Sequence, residues 1–116
     1  MDNGDFDWNR LGNVELGREN LGVEMPIVVY RLMQYTIMDS LTRRYGLETA
    51  EEIIRDAGFY AGKAFAQNLL EKSDDFSTFV ANLQEELKNL KIGILRIEKA
   101  DMENMSFVLT VSEDLD

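Results

Sequence analysis

Apolar positions recur at helical spacing in three stretches of this chain. In residues 26–45 they surround the predicted helix on nearly every side, which is more apolar surface than one buried face requires. In residues 49–70 they are interleaved with glycine and alanine, and in residues 76–90 they form a single stripe opposite a polar face. The pattern predicts three helices. The first of them should contact the core on one side and a second subunit or a ligand on the other.

After the third helix the period of the apolar residues changes to two. Residues 92–99 form a short β-branched run that contains Gly93, which predicts a strand with a bulge or a close backbone approach at the glycine. Residues 105–112 alternate between apolar and polar side chains and predict a half-buried partner strand. The two runs are expected to pair as an antiparallel hairpin. Because two strands alone form a marginal sheet, a short N-terminal strand at residues 14–16 could join them.

The fold class that follows is α+β, with three main helices packed on a small antiparallel sheet. At 116 residues the chain fits one domain. Residues 1–13 are polar and acidic and are predicted to form a flexible acidic arm, in which Trp8 is the group that could dock. Residues 14–116 are predicted to form a single domain.

Local signals predict where the helices begin and end. Gly46 follows the first apolar stretch and is a good helix terminator. Thr49 and Glu52 have the spacing of a capping box, in which each side chain accepts a hydrogen bond from the other residue's backbone N–H. Ser73 or Asp75 is expected to cap the third helix.

The second helix carries Gly58 and Gly62 in its interior. Each glycine costs about 1 kcal/mol relative to alanine, so we expect both to lie against another backbone or a tightly packed side chain. With the neighbouring alanines they form a small-residue surface. Tight helix–helix packing is the first interpretation of that surface, and the floor of a ligand cavity is the second.

The chain is acidic, with 12 basic and 22 acidic residues and a net charge of −10. This charge disfavours nucleic acids and anionic lipid surfaces as partners of the domain, because both attract basic proteins. No apolar run reaches the length of about 18 residues that a membrane span needs. The absence of cysteine favours an intracellular setting, and we expect a cytoplasmic protein.

The sequence offers few groups for catalysis. It has no histidine and no cysteine, which removes the commonest general base, metal ligand and nucleophile partner. The acidic pairs fall at helix starts or on polar helix faces, where the helix dipole and solvation account for them. Arg55 and Asp56 form a charged pair beside the small-residue surface, which we interpret as solvated or as part of an interhelical salt bridge. We therefore predict no catalytic residues, no metal site and no cofactor, and we expect that the protein is not an enzyme.

Three segments carry a resemblance to a known family. They read Leu21-Gly-Val-Glu-Met-Pro-Ile-Val-Val-Tyr-Arg-Leu, Asp56-Ala-Gly-Phe-Tyr-Ala-Gly and Leu90-Lys-Ile-Gly-Ile-Leu-Arg-Ile-Glu. Over residues 14–112 the chain resembles the first two thirds of the 4-vinyl reductase domain. That family is hydrocarbon-binding and sensor-type, and it is similar in fold to TRAPP-complex subunits and haem-NO-binding domains. Its members continue into a cysteine-containing segment, so we expect this sequence to cover only part of such a domain.

The resemblance implies a non-catalytic sensor or regulatory domain that binds a small apolar or aromatic molecule and signals through dimerisation or a partner. The predicted site lies between the helices and the hairpin. Its ligand-binding residues are expected to be Tyr30, Met33, Ile37, Phe65 and Phe107. Taken singly, each of these residues is more often plain core than pocket lining. The alternative function is a protein–protein interaction or dimerisation scaffold without a ligand. For either function we expect a homodimer that forms through the helix from Pro26 to Tyr45.

Overall fold

The computed structural model describes residues 5–115 and has an α+β fold. Three α-helices and a two-stranded antiparallel sheet follow one another along the described part of the chain. These elements are α1 (Ile27–Tyr45), α2 (Leu47–Leu69), α3 (Phe76–Asn89), β1 (Ile94–Asp101) and β2 (Ser106–Ser112). The chain divides into two compact units, of which the first ends at Asn68 and the second begins at Leu69.

Helix α1 has the predicted ends. Pro26 precedes it in an extended conformation, which suits a residue that has no N–H to leave unsatisfied. The helix ends where Gly46 adopts a φ of 85° and donates its N–H to the carbonyl of Thr42 at 2.9 Å. Only glycine reaches such a conformation without steric cost. Gly46 therefore ends the helix sharply.

Helix α2 begins directly after Gly46, so a single residue separates the first two helices. Its backbone ladder starts at the Gly46 carbonyl, which accepts from the N–H of Ala50 at 3.0 Å. The predicted capping box is therefore wrong, because Thr49 and Glu52 lie inside the helix rather than at its start. A connection of one residue is also shorter than the two to five residues of an αα-hairpin. Accordingly, α1 does not pack along α2.

The segment before α1 contacts α2 and then forms an irregular loop. A 3₁₀ turn, Trp8–Leu11, is capped by the Asp7 carboxylate, and Trp8 is half-buried. Asp5 forms an ion pair with Lys63 of α2 at 2.9 Å. The first four residues of the predicted flexible arm lie outside the described part of the chain.

The expected N-terminal strand at residues 14–16 is wrong, because this run forms a turn. The side-chain oxygen of Asn13 accepts from the N–H of Leu16 at 3.0 Å, which closes the turn locally. Arg18 then holds the loop together by donating to the carbonyls of Gly22 at 3.3 Å and Glu24 at 2.6 Å. Local side-chain hydrogen bonds of this kind compete with strand pairing. The sheet is therefore two-stranded among the described residues.

In the second unit α3 packs on β1. Val80 and Leu95 are the buried apolar side chains of this unit, and the Gln84 amide donates to the Leu95 carbonyl at 2.9 Å. Phe76 of α3 stacks on Phe107 of β2 with 4.1 Å between the ring centroids. The single apolar stripe that the sequence predicts for α3 thus faces the hairpin.

The hairpin is antiparallel as predicted, and its register pairs Leu95 with Val111. The irregularity in the ladder falls between Ile97 and Lys99 rather than at Gly93. The close approach at Gly93 is confirmed, since an added Cβ would lie 2.6 Å from Cγ1 of Val111. β1 begins two residues later than predicted because the N–H of Ile92 still donates to the end of α3.

Few side chains are buried in either unit. The buried apolar residues among those described are Ala50, Ala64, Val80 and Leu95. No large side chain in the described range is fully buried. Among the described residues of the first unit, the buried side chains are therefore those of two alanines, although this part of the chain contains helices of 19 and 23 residues.

Candidate functional site

Helix α1 is the most exposed apolar element of the first unit. None of its residues is buried. Its exposed large apolar residues are Ile27, Val28, Val29, Leu32, Met33, Tyr35, Ile37 and Tyr45. Exposed apolar residues that stand singly are ordinary, but a contiguous apolar surface marks a site of interaction.

One side of α1 carries a regular row of residues, which we call the α1 stripe. It consists of Val29, Met33, Ile37, Ser40 and Arg44, at steps of four, four, three and four. At 3.6 residues per turn these steps keep all five on one side of the helix. The three apolar members are 38%, 55% and 49% exposed, in chain order. The stripe is therefore a narrow row of exposed apolar side chains that ends at the cationic side chain of Arg44.

The remaining sides of α1 differ from the stripe. Tyr30, Gln34, Met38 and Leu41 are half-buried and share the side of the helix next to the stripe. The Gln34 amide oxygen on this side is enclosed and has no hydrogen-bond donor among the described residues. Val28 and the neighbouring exposed residues occupy a third side.

A shallow depression of about 300 Å³ lies over the C-terminal half of α1. It is lined by Thr36, Ile37, Ser40, Leu41, Arg44 and Tyr45, all of which belong to this one helix. A single helix cannot enclose a small molecule, whereas ligand sites bury most of the ligand surface. The depression is thus a feature of the helix surface and not an enclosed ligand cavity.

Two further depressions lie in loops and at a helix end. One of about 660 Å³ is formed by the loop that precedes α1, where Arg18 already donates to loop carbonyls. The other, of about 350 Å³, belongs to the second unit and has polar walls that include Glu71, Glu85 and Glu86. Neither depression contains any of the predicted ligand-binding residues.

The structure places the predicted ligand-binding residues on several elements. Tyr30, Met33 and Ile37 lie on α1, where the first is half-buried and the other two are about half exposed. Phe65 is half-buried on α2, and Phe107 stacks on Phe76 inside the second unit. Ile37 is the member of this set that lines the depression on α1. The predicted cavity between helices and hairpin stays a prediction.

Sequence reasoning missed the polar half of the α1 stripe. The apolar pattern does not include Ser40 and Arg44, although these two residues continue the row of Met33 and Ile37 toward the C-terminus. The signal that could have found them is the spacing itself, since steps of three and four define one side of a helix whatever the residue type.

The charged groups with a perturbed pKa have structural roles. The hydroxyl of Thr78, and then its backbone N–H, hold the pKa of Asp75 below the ordinary value of 3.8. The Asn104 side chain and then its N–H do the same for the pKa of Asp101 in the hairpin turn. Asp75 caps the start of α3, Asp101 ends β1, and both carboxylates are solvent-exposed. Neither is therefore positioned to act as a general acid or base.

The described residues contain no cluster of three or more acidic side chains that could hold a metal ion. Among the helices of the described range, none has both the length and the apolar character of a membrane span.

Comparison with protein-family models, with curated proteins and with solved structures gave no match to this chain. The resemblance to the 4-vinyl reductase domain therefore rests on the three sequence segments that carry it.

Proposed function

We propose that the chain is a protein–protein interaction module that dimerises through α1. The observation that carries the proposal is that this 19-residue helix buries none of its residues while apolar side chains occupy several of its sides. A second copy of the chain is the partner that we propose.

The energetics of an isolated helix support this proposal. Helices of this length are marginally stable in water unless an amphipathic face is packed. Complete burial of a valine, leucine, isoleucine or methionine side chain contributes about 1.5–3 kcal/mol relative to its exposure. In α1 six such side chains remain between 38% and 64% exposed. Association would therefore supply the burial that α2 does not, because the two helices do not pack along each other.

The test compares two aspartate variants of α1 by light scattering at micromolar concentration. Met33→Asp places a charge in the α1 stripe and is expected to give a monomer. Val28→Asp places the same charge about 140° away around the helix, where the valine is more exposed, and is expected to leave a dimer. Circular dichroism checks that both variants keep the helical content of the wild type. A wild-type mass equal to one chain would refute the proposal.

Binding of a small apolar or aromatic molecule, with a sensor or regulatory role, is the second candidate function. It is favoured by the half-exposed Met33 and Ile37 on one side of α1, which would form one wall of a site that a second copy closes. Thermal shift against phenols, fatty acids and terpenoids tests it, because a ligand that binds only the folded state raises the melting temperature. The Met33→Asp variant is the control, since a shift of equal size in that variant would place the ligand elsewhere.

A further inference from the structure

We infer that the two α1 helices of the proposed dimer run antiparallel, with the two-fold axis level with residue 35. This inference rests on the proposed function, because it takes the dimer as given and adds its geometry.

The α1 stripe is nearly symmetric about that level. Met33 and Ile37 stand two residues on either side of it, and Val29 and Ser40 stand six residues before and five residues after it. An antiparallel pair centred there brings Met33 of one copy opposite Ile37 of the other. It also brings Val29 within one residue of the level of Ser40. The apolar Met33 and Ile37 thus meet at the centre of the seam, and the larger Val29 faces the smaller Ser40 on either side of it.

The depression on α1 has the form of a packing hole. Ile37, Ser40, Leu41 and Arg44 line it at positions i, i+3, i+4 and i+7, which is the set of four residues that receives a knob in helix pairs. The centre of this hole lies level with residues 40 and 41. In the antiparallel register the side chain that meets it is Val29 of the second copy, a compact residue at 38% exposure.

The charged residues near the two ends of α1 favour the antiparallel orientation of the two helices. Arg43 and Arg44 lie in the last turn of α1, and the first turn contains no acidic residue. Glu24 is the acidic residue just before the helix. An antiparallel pair sets Arg44 of one copy near Glu24 of the other, whereas a parallel pair in register sets the two Arg44 side chains against each other. Like charges at an interface oppose association, and opposite charges fix the register. Antiparallel helix dipoles favour the same orientation.

Disulfide cross-linking distinguishes the two orientations, and the absence of native cysteine removes any background. Three proteins are compared: Val29→Cys, Ser40→Cys and the double variant. At a rise of 1.5 Å per residue the antiparallel register separates like positions by about 15–18 Å along the helix axis, and it sets position 29 within about 2 Å of the level of position 40. A disulfide needs Cα atoms about 4.4–6.8 Å apart.

We expect brief oxidation to convert the double variant to a covalent dimer at least tenfold faster than either single variant. Light scattering of the reduced proteins first establishes that each is dimeric like the wild type. If Ser40→Cys alone cross-links as fast as the double variant, the helices are parallel and the inference fails while the proposed function stands. If all three are dimers and none cross-links, the seam lies elsewhere and the inference also fails. A monomeric wild type refutes the proposed function itself.

Discussion

Gly58 and Gly93 occupy opposite kinds of surroundings. A Cβ added to Gly58, in the middle of α2, meets no atom within 4 Å apart from its chain neighbours and the adjacent backbone of its own helix. At Gly93 the same atom would lie 2.6 Å from Cγ1 of Val111 and 3.3 Å from the carbonyl oxygen of Ser112. The β-branched valine and the backbone carbonyl can give little room. One glycine is therefore replaceable in the single chain, and the other is not.

Alanine substitutions at these two positions should have effects of opposite sign. Gly58→Ala is expected to raise the free energy of unfolding by about 1 kcal/mol, because alanine is the better helix former. Gly93→Ala is expected to lower it by about 1–3 kcal/mol, because the added methyl group overpacks the contact with β2. Urea unfolding followed by circular dichroism measures both. A loss of stability in Gly58→Ala would mean that another surface covers this side of α2.

The glycines also show how far the spacing of residues in the sequence can predict a close contact in the structure. The sequence correctly indicates a close approach at Gly93, because a glycine weakens a β-branched strand and is typical of a place where another backbone comes near. The same reasoning is wrong for Gly58 and Gly62 in the single chain, where no neighbour lies within 4 Å of either added Cβ. Spacing places a residue on a side of a helix. It does not supply the neighbour that must face that side.

At the scale of the element, α3 begins at a well-formed cap. The Asp75 carboxylate accepts from the N–H of Thr78 at 3.0 Å and from its hydroxyl at 2.6 Å. These bonds favour the charged carboxylate and so lower its pKa from 3.8 in the folded chain. A lowered folded pKa means that the cap stabilises the fold above pH 3.8, and that this contribution is lost as the pH falls through the folded value.

Removal of this cap should therefore have a pH-dependent cost. Asp75→Ala is expected to lower the melting temperature by several degrees at neutral pH, and the difference from wild type should shrink as the pH falls below 3.8. Asp74→Ala is the matched control, because the adjacent residue precedes the cap position. Thermal unfolding by circular dichroism measures both variants across the pH range in which the wild type is folded. A difference that stays constant with pH would show that the charge of Asp75 has no part in the cap.

Element boundaries are predictable where a single residue decides them. Pro26, Gly46 and Asp75 each stand where the backbone changes, because each has a conformational or hydrogen-bonding property that few other residues share. The capping box at Thr49 failed because Gly46 lets α2 begin earlier. The strand at residues 14–16 failed because Asn13 and Arg18 satisfy the loop locally. Competition between neighbouring signals of this kind is not visible in the apolar pattern.

At the scale of the whole molecule, the stability of the first unit should depend on protein concentration. If folding of this unit is linked to dimerisation, each tenfold rise in concentration adds about 1.4 kcal/mol per mole of dimer to the folded state. We expect the melting temperature of the wild type to rise accordingly in scans made at increasing concentrations. Met33→Asp should melt lower and at a temperature independent of concentration. A wild-type transition that does not move over a hundredfold range of concentration would contradict the linkage.

The fold class was predictable from the sequence because periods of 3.6 and 2 separate helices from strands without tertiary information. The candidate site was predictable only in part. Met33 and Ile37 stood out as apolar residues on a helix with too much apolar surface, and both lie in the α1 stripe. Phe107 stood out as an aromatic residue on the apolar face of the predicted second strand, but in the structure it stacks on Phe76. Whether an aromatic residue is core or contact depends on its neighbours in space, which a single sequence does not give.

The one-residue joint at Gly46 has a consequence for the order of folding. In the second unit the contacts are local, and the stacked rings of Phe76 and Phe107 close a segment of only about 30 residues. That unit can form at a rate set by the chain alone. In the first unit α1 does not pack along α2, so in the proposed dimer the burial of its apolar side chains would follow the encounter with a second chain. The proposed dimer would therefore assemble in a fast unimolecular step followed by a slower bimolecular one, and at low concentration newly made chains would spend most of their time between the two.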